Sequence, residues 1–328
     1  MKNRNENAAV AQSVPKTITK VLSSDRVGAL LILVVMFIAL GCASKSFFTS
    51  RNLLNLFRYA SPYIIVGSGV LAAMMAGGMD MSVGATMGLA GMVTAICNVS
   101  GKPIVICILA GVAVGALVGA FNGFLVGYIG LQPFISSMGT KLIVTGTTTL
   151  ICGGFPVNGL TKEFTILGTG NILGIYTPIW IAALVCLITW YIISKTTFGR
   201  NMAACGGNRN AAKVSGINVS KTKIISYIYC GCCAAVAGIV LTARVQSGQA
   251  NTGNGYELNA IAGVVIGGAS MAGGEGTVFG CICGCLVMAT MVNGLDMIGV
   301  DAFWQGIAQG IVIVIAVAMD ILRRKRSN

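Results

Sequence analysis

The residue types that most often carry chemistry are scarce in this chain. Its 328 residues include no histidine, which excludes His-based triads, imidazole acid–base catalysis and His metal ligands. Cys281, Cys283 and Cys285 alternate along the chain, and on a helix Cys283 would point away from the other two, which argues against a shared metal site. The sequence G-x-x-x-x-G-K-[ST] is absent, so the chain has no P-loop for nucleotide hydrolysis. We therefore expect no catalytic residue, metal or cofactor in this chain.

One acidic residue stands out by its position. Asp80 lies within Gly77–Gly84, where glycines separate two apolar runs. A break of this kind is typical of an unwound segment that lines a cavity, and an ionisable residue inside a membrane is a functional candidate. An Asp before a helical run is equally typical of a helix N-cap. Both interpretations of Asp80 stay open on the sequence.

The elements that must position these residues are membrane helices. The chain is 55% apolar and 9% charged, whereas a soluble domain is about 25% charged, so lipid must be the solvent for most of its surface. Apolar runs of about 17 or more residues predict an all-α polytopic protein with about ten transmembrane helices. The predicted spans are 27–43, 62–79, 81–98, 103–130, 134–152, 175–194, 224–243, 257–273, 277–295 and 302–320, of which the eighth is short enough to be re-entrant.

Basic residues set the predicted orientation. Fifteen of the 22 lie in 1–26, 195–223 and 321–328, so these segments, and with them both termini, are predicted to be cytoplasmic. The predicted organisation is a tail at 1–26, a transmembrane domain at 27–320 that includes the loop 195–223, and a basic tail at 321–328. Segment 44–61, on the predicted outer side, is expected to form an interfacial amphipathic helix. Four acids fall in predicted outer loops: Glu163, Glu257, Asp296 and Asp301.

Glycine spacing predicts close helix contacts. The fourth span carries a glycine at every fourth position, which predicts one face pressed against a neighbouring helix, as either a sliding interface or static packing. These residues are Gly111, Gly115, Gly119, Gly123 and Gly127. The Gly-rich stretch around Asp80 has a counterpart in Gly267–Gly274, and each is followed by an Asn-Gly pair. This arrangement predicts two diverged halves, as transporter folds have.

The loop 195–223 contains a predicted short helix. Asn208 is suited to cap a helix over Asn208–Ser215, and Gly216 is suited to end it. Its compact form favours a knob for a cytoplasmic partner, while an ordinary basic loop would have the same composition.

Several stretches together resemble the permease subunits of ribose-type monosaccharide ABC importers over about residues 27–320. They include Gly77–Gly84, Pro133–Ile135, Gly206–Asn208, Gly255–Ala262, Val264–Ser270 and Asn293–Leu295. Met79, Met81 and Asn259 depart from that pattern, and Asn259 replaces a common Asp, which removes a charge. The resemblance implies a type II ABC importer-like permease in the bacterial inner membrane, working as a homodimer or heterodimer. It also implies a cytoplasmic ATPase subunit that binds the ATP and an extracytoplasmic sugar-binding protein.

The same resemblance implies a coupling helix that docks on the ATPase subunit. It assigns this role to Gly207, Asn208, Ala211, Ala212, Ser215, Gly216 and Ile217.

The sequence therefore predicts a permease that imports a monosaccharide, with ribose favoured and galactosides, xylose, inositol or autoinducer-2 as alternatives. An ion-coupled carrier with Asp80 as its proton or sodium site is the rival from another class. An intramembrane enzyme is disfavoured by the lack of histidine and of clustered acids. A sugar path needs groups that match hydroxyls, and its candidate residues are Asp80, Asn122, Gln132, Phe134, Asn293 and Trp304.

Overall fold

A computed structural model describes residues 25–327, so nearly all of the predicted N-terminal tail lies outside the described part. The described chain is helical apart from one short hairpin, β1 (Asn171–Ile172) and β2 (Ile175–Tyr176), which confirms the all-α fold class. The helices are α1 (Asp25–Ala43), α2 (Ser50–Met75), α3 (Val83–Val99), α4 (Ile104–Phe124), α5 (Pro133–Ile151), α6 (Lys162–Thr169), α7 (Thr177–Lys195), α8 (Thr197–Gly207), α9 (Arg209–Val214), α10 (Val219–Val245), α11 (Tyr256–Ile266), α12 (Val278–Met297) and α13 (Ala302–Ser327).

Each predicted span overlaps one of these helices, although the eighth, 257–273, overlaps only the short α11. Five are long and apolar enough to cross a bilayer, namely α2, α4 with its continuation to Ile129, α7, α10 and α12. Shorter apolar helices lie within α1, α3, α11 and α13, and α5 is 19 residues long with Lys141 near its middle. The architecture is that of a multi-pass membrane protein.

Helix α10 is the centre of the bundle and packs against α2, α3 and α4. The glycines of α4 and its continuation face it from Gly115 to Gly127, and Gly111 lies between Thr94 of α3 and Ile239 of α10. A Cβ at Gly123 would lie 2.7 Å from the Ile224 Cα, and one at Gly115 would overlap the Gly231 carbonyl oxygen. Because the contacts run from Ile239 beside Gly111 to Ser220 beside Gly127, α4 and α10 are antiparallel. Because glycine has no side chain, the two backbones come into direct contact along most of α4.

The predicted amphipathic helix at 44–61 is wrong as a separate element. Residues from Ser50 onward belong to α2, which continues through Pro62 to Met75. One of the charges in this segment, Arg58, has partners in the bundle. The Arg58 Nε donates to the Gly168 carbonyl oxygen at 3.1 Å, and its guanidinium lies 4.7 Å from the centre of the Tyr176 ring. A cation paired in this way does not interrupt a helix.

The eighth predicted span is a broken crossing. After α10 ends, residues 246–255 form turns that run back along α3, with Gly248 against Ala95 and Ala250 against Gly88. Only then does α11 begin, and it is 11 residues long. The part of this predicted crossing that precedes α11 is therefore non-helical backbone that runs along α3, with Ser247, Gly248 and Gly253 buried.

Two further features depart from the predicted organisation. Helix α6 and the β-hairpin occupy a stretch expected to be loop, and the buried Phe164 of α6 packs with Ile239 and Ala243 near the end of α10. At the other end of the chain, α13 continues to Ser327, so the basic residues of 321–327 extend the last helix instead of forming a separate tail.

Candidate coupling and translocation sites

Helices α8 and α9 form a small unit, here called the basic module (Thr197–Val214), between the ends of α7 and α10. Both helices begin at side-chain caps. The Thr196 Oγ1 accepts from the Gly199 N–H at 3.2 Å, and the Asn208 Oδ1 accepts from the Ala211 N–H at 2.9 Å. Gly216, at φ +81°, ends the second helix in the left-handed conformation that glycine adopts without strain. Local sequence signals alone account for this geometry.

The basic module turns one side inward and the other outward. Ala212 is 3% exposed and packs with Cys205 and Val219, so it anchors α9 and cannot also meet a partner directly. Val214, which the sequence did not single out, is 90% exposed. The assigned residues therefore separate into an inner anchor and an outer surface. The outer surface comprises Gly207, Asn208, Ala211, Ser215 and Gly216, with Ile217 half-buried at its edge.

The anchor also encloses a thiol. Cys205 is 3% exposed, and burial raises the pKa of its thiol above the ordinary value, an effect that a hydrogen bond with Thr222 and the charge of Lys223 oppose only in part. Because the thiolate is the reactive form, the raised pKa disfavours reaction of this cysteine, which serves as a packing residue.

A groove of about 420 Å³ lies beside the outer surface. Arg209 and Lys213 of α9 contribute its charged side chains, and residues 216–220 form the rest of its lining. The whole of 195–223 carries six basic residues and no acidic one. The groove and the exposed turn of α9 together present a positively charged surface of limited size.

Asp80 lies in a buried polar cluster at the break between α2 and α3. Its Oδ1 accepts from the Ser82 N–H at 2.8 Å, the Ser82 hydroxyl at 2.6 Å and the Asn122 amide at 3.2 Å. The Thr140 hydroxyl donates to the Asn122 Oδ1 at 2.6 Å. Asp80 is 1% exposed and Asn122 is fully buried. The cluster closes the turn that enters α3 and ties that turn to α4 and α5.

A buried ion pair joins α5 to the start of α11. The Lys141 Nζ lies 2.5 Å from the Glu257 Oε1, and the Glu257 side chain is 2% exposed. The predicted placement of Glu257 in an outer loop is therefore wrong, because the preceding turns carry it back into the bundle. Gly84 makes room for it, since a Cβ there would overlap the Glu257 Oε2. Within residues 25–327 that oxygen has no hydrogen-bond partner.

Comparison with known proteins identifies the family of this chain. The family described as "branched-chain amino acid transport system / permease component" matches residues 52–317. The ribose import permease protein RbsC of Escherichia coli strain K12 is 39% identical over 89% of this chain and 92% of its own length. The chain belongs to this permease family.

Other relatives support the same assignment for the permease. The ribose import permease protein RbsC of Bacillus subtilis strain 168 is 38% identical over 92% of this chain and 94% of its own. The D-allose transport system permease protein AlsC of Escherichia coli strain K12 is 37% identical over 92% and 93%. No solved structure matches the chain. The permease is thus of the ribose type, a transport subunit of an importer.

The six predicted path residues do not meet in this permease. Asp80 and Asn122 share the buried cluster, whereas Gln132 and Phe134 are exposed near the start of α5. Asn293 is half-buried on α12, and Trp304 is 65% exposed at the start of α13. The structure therefore separates one paired, buried group from four scattered residues.

Three polar side-chain atoms are buried on α11 and α12 of the permease. The Asn293 Oδ1 and the Thr290 Oγ1 lie on one face of α12, three residues apart, and the Asn259 Oδ1 lies on α11. All three are buried, and none has a hydrogen-bond partner among the residues that the structure describes. Only Asn293 was predicted, because the others carry no motif beyond a polar residue in an apolar run.

Proposed function

We propose that this permease imports a monosaccharide, with ribose as the favoured cargo, in a complex driven by a separate ATPase subunit. Three ribose-named relatives at 35–39% identity support ribose. The allose permease, at 37%, and the galactose/methyl galactoside permeases, at 34–36%, are nearly as similar. The cargo is therefore proposed at the level of a small aldose, ribose first.

The observation that carries the proposal is the basic module. It is anchored by Ala212, Cys205 and Val219, and it projects an exposed surface that no other part of the described chain covers. A rigid anchor with an uncovered outer surface is suited to a coupling element, to which a second protein binds and whose position it changes. We place this surface, and both termini, on the cytoplasmic side, where the ATPase subunit would bind ATP. A sugar-binding protein would deliver cargo to the opposite side.

A second permease copy completes the proposed complex. Gly139 and Gly146 lie seven residues apart on α5, and nothing within 4 Å covers either position. Leu142, Ile143 and Leu150 are exposed on the same helix. Open glycines on an apolar face allow another backbone to approach closely, which lipid does not require. We propose that α5 faces this second copy.

The ion-coupled alternative receives no comparable support. Asp80 would be its ion site, but this carboxylate is buried and its hydrogen bonds close a turn within the chain. The geometry supports the helix-entry role of Asp80.

Substitution of two neighbouring alanines tests the proposal. Ala211→Glu places a charge on the outer surface of the basic module, while Ala212→Glu places one inside its anchor. We expect Ala211→Glu to melt like the wild type yet to lose the co-purifying ATPase subunit and the uptake of radiolabelled ribose, because a charge at a buried interface costs several kcal/mol. Ala212→Glu should lower the melting temperature itself.

The control is Ala211→Ser, which adds a small polar group at the same position and should retain association and uptake. An Ala211→Glu protein that keeps its ATPase subunit and transports ribose at the wild-type rate would refute the assignment of α9. Competition of ribose uptake by unlabelled allose and galactose identifies the cargo.

A further inference from the structure

The basic module meets both helix breaks of the permease at one point. Gly77 lies in the break between α2 and α3, Gly273 and Gly274 lie in the break between α11 and α12, and Gly206 is the penultimate residue of α8. A Cβ at Gly273 would lie 2.8 Å from the Cα atoms of both Gly206 and Gly77. A Cβ at Gly206 would overlap the Met75 carbonyl oxygen and the Gly274 nitrogen. We call these four glycines the glycine junction.

Backbone atoms make all of these contacts. The Gly274 N–H donates to the Met75 carbonyl oxygen at 3.1 Å, which joins the two breaks directly. One side chain adds to them: the Lys223 Nζ, in the second turn of α10, donates to the Gly77 carbonyl oxygen at 3.2 Å. A contact between side chains can absorb a displacement by changing rotamer, but a contact between backbones cannot.

The breaks themselves are suited to bend. Gly77, Gly273 and Gly274 have φ values of +71°, +97° and +85°, a region that other residues rarely adopt. Hinges in moving proteins are a few residues at element ends that absorb changes in backbone angles. The glycine junction thus places a stiff helix end between two hinges.

We propose that the glycine junction transmits movement of the basic module to both halves of the permease at once. A displacement of the end of α8 shifts the break before α3 and the break before α12 together. Movement of one helix end thus changes the position of both breaks. This inference rests on the proposed function, because it assumes that the ATPase subunit moves the basic module. Gly206 and Lys223 are positioning residues in this scheme and touch no cargo.

The test uses the complete complex of permease, ATPase subunit and sugar-binding protein in proteoliposomes. Lys223→Met removes the hydrogen bond to Gly77, and Lys221→Met removes an exposed charge two residues away as the matched control. We expect Lys223→Met to lower ribose uptake and the stimulation of ATP hydrolysis by loaded binding protein at least fivefold, with basal hydrolysis unchanged. Lys221→Met should stay within twofold of the wild type in all three.

A steric variant adds an independent measurement. Gly206→Ala inserts a methyl group between the two breaks, and Gly306→Ala adds one on α13 where nothing lies within 4 Å. We expect Gly206→Ala to keep the ATPase subunit but to lose at least tenfold in stimulated hydrolysis and uptake, while Gly306→Ala behaves as the wild type. If Gly206→Ala does not assemble, the lysine pair decides.

The outcomes separate this inference from the proposed function. Equal uptake by the Lys223→Met and Lys221→Met complexes, or wild-type stimulation in Gly206→Ala, would overturn the glycine junction as a transmission element. Absence of the ATPase subunit from the wild-type complex would instead refute the proposed function.

Discussion

The Lys141–Glu257 pair shows how this membrane protein keeps charge in its interior. Burying a carboxylate costs several kcal/mol, and its attraction to a nearby ammonium repays that cost only when the geometry is good. The Lys141 Nζ and the Glu257 Oε1 are in close contact, and the pair joins α5 to the broken crossing. Lys141, a charged residue within the fifth predicted span, is thus the partner that allows Glu257 to lie inside the bundle.

Removing one partner of this pair should cost more than removing both charges. We expect Lys141→Met to lower the free energy of unfolding by about 3–5 kcal/mol, because it leaves the Glu257 carboxylate buried and unpaired. The double variant Lys141→Met/Glu257→Gln should recover part of that loss. Thermal unfolding of the purified permease in detergent measures both, and a double variant no more stable than the single one would contradict the argument.

Sequence predicts a single residue well where its role is local. Asn208 and Gly216 bound α9 because capping and left-handed turns depend only on near neighbours. Glu257 was misplaced because its burial depends on turns that bring it beside Gly84 and Lys141, which are distant in the chain. The inward side of Ala212 was missed for the same reason, since Cys205 and Val219 define it.

At the scale of elements, the glycine face of α4 is the strongest pairing signal in the chain. Five glycines in phase predicted a close contact, and the structure supplies the partner, α10. Periodicity marks which face is covered but contains no information about which helix covers it. Sequence also failed to predict the start of α2, because the charges in its first three turns interrupt the apolar run. It did not predict the non-helical course of 246–255, because that course follows α3, which is distant in the chain.

Overpacking this face should prevent the α4–α10 contact. A Cβ at Gly119 would overlap the Tyr227 carbonyl oxygen, so we expect Gly119→Leu to destabilise the permease by about 1–3 kcal/mol or more. Gly306→Leu, at an open position on α13, is the control and should change stability by less than about 0.5 kcal/mol. Expression level and melting temperature report the difference. Unchanged melting of Gly119→Leu would show that this face is not closely packed in the native protein.

At the scale of the whole molecule, the basic residues and the helix order together predict an orientation. Lys213 lies on the basic module, and Phe155 lies beyond the far end of α5 and is 77% exposed. Of the twelve free cysteines only Cys42 is exposed, and three more are half-buried. A background that lacks these four therefore retains the eight that pack in the interior.

In that background we expect a membrane-impermeant maleimide to label Phe155→Cys in intact cells. Lys213→Cys should react only after the membrane is permeabilised, because the positive-inside rule places the basic module in the cytoplasm. Labelling of position 213 alone from outside would show that the topology is the reverse of the predicted one. Labelling of both positions from outside would show that no crossing separates them.

The broken crossing has a consequence for how the chain enters the membrane. An 11-residue helix rises about 16 Å, roughly half of a 30 Å hydrocarbon core, and the residues before it are turns rich in amide and hydroxyl groups. A translocon that releases segments into lipid by their own hydrophobicity would not release α11 alone. We expect this stretch to enter the bilayer together with α12, against which it packs, once α3 and α5 are in place to receive Glu257. Insertion of α11 therefore depends on the helices that come before and after it in the chain.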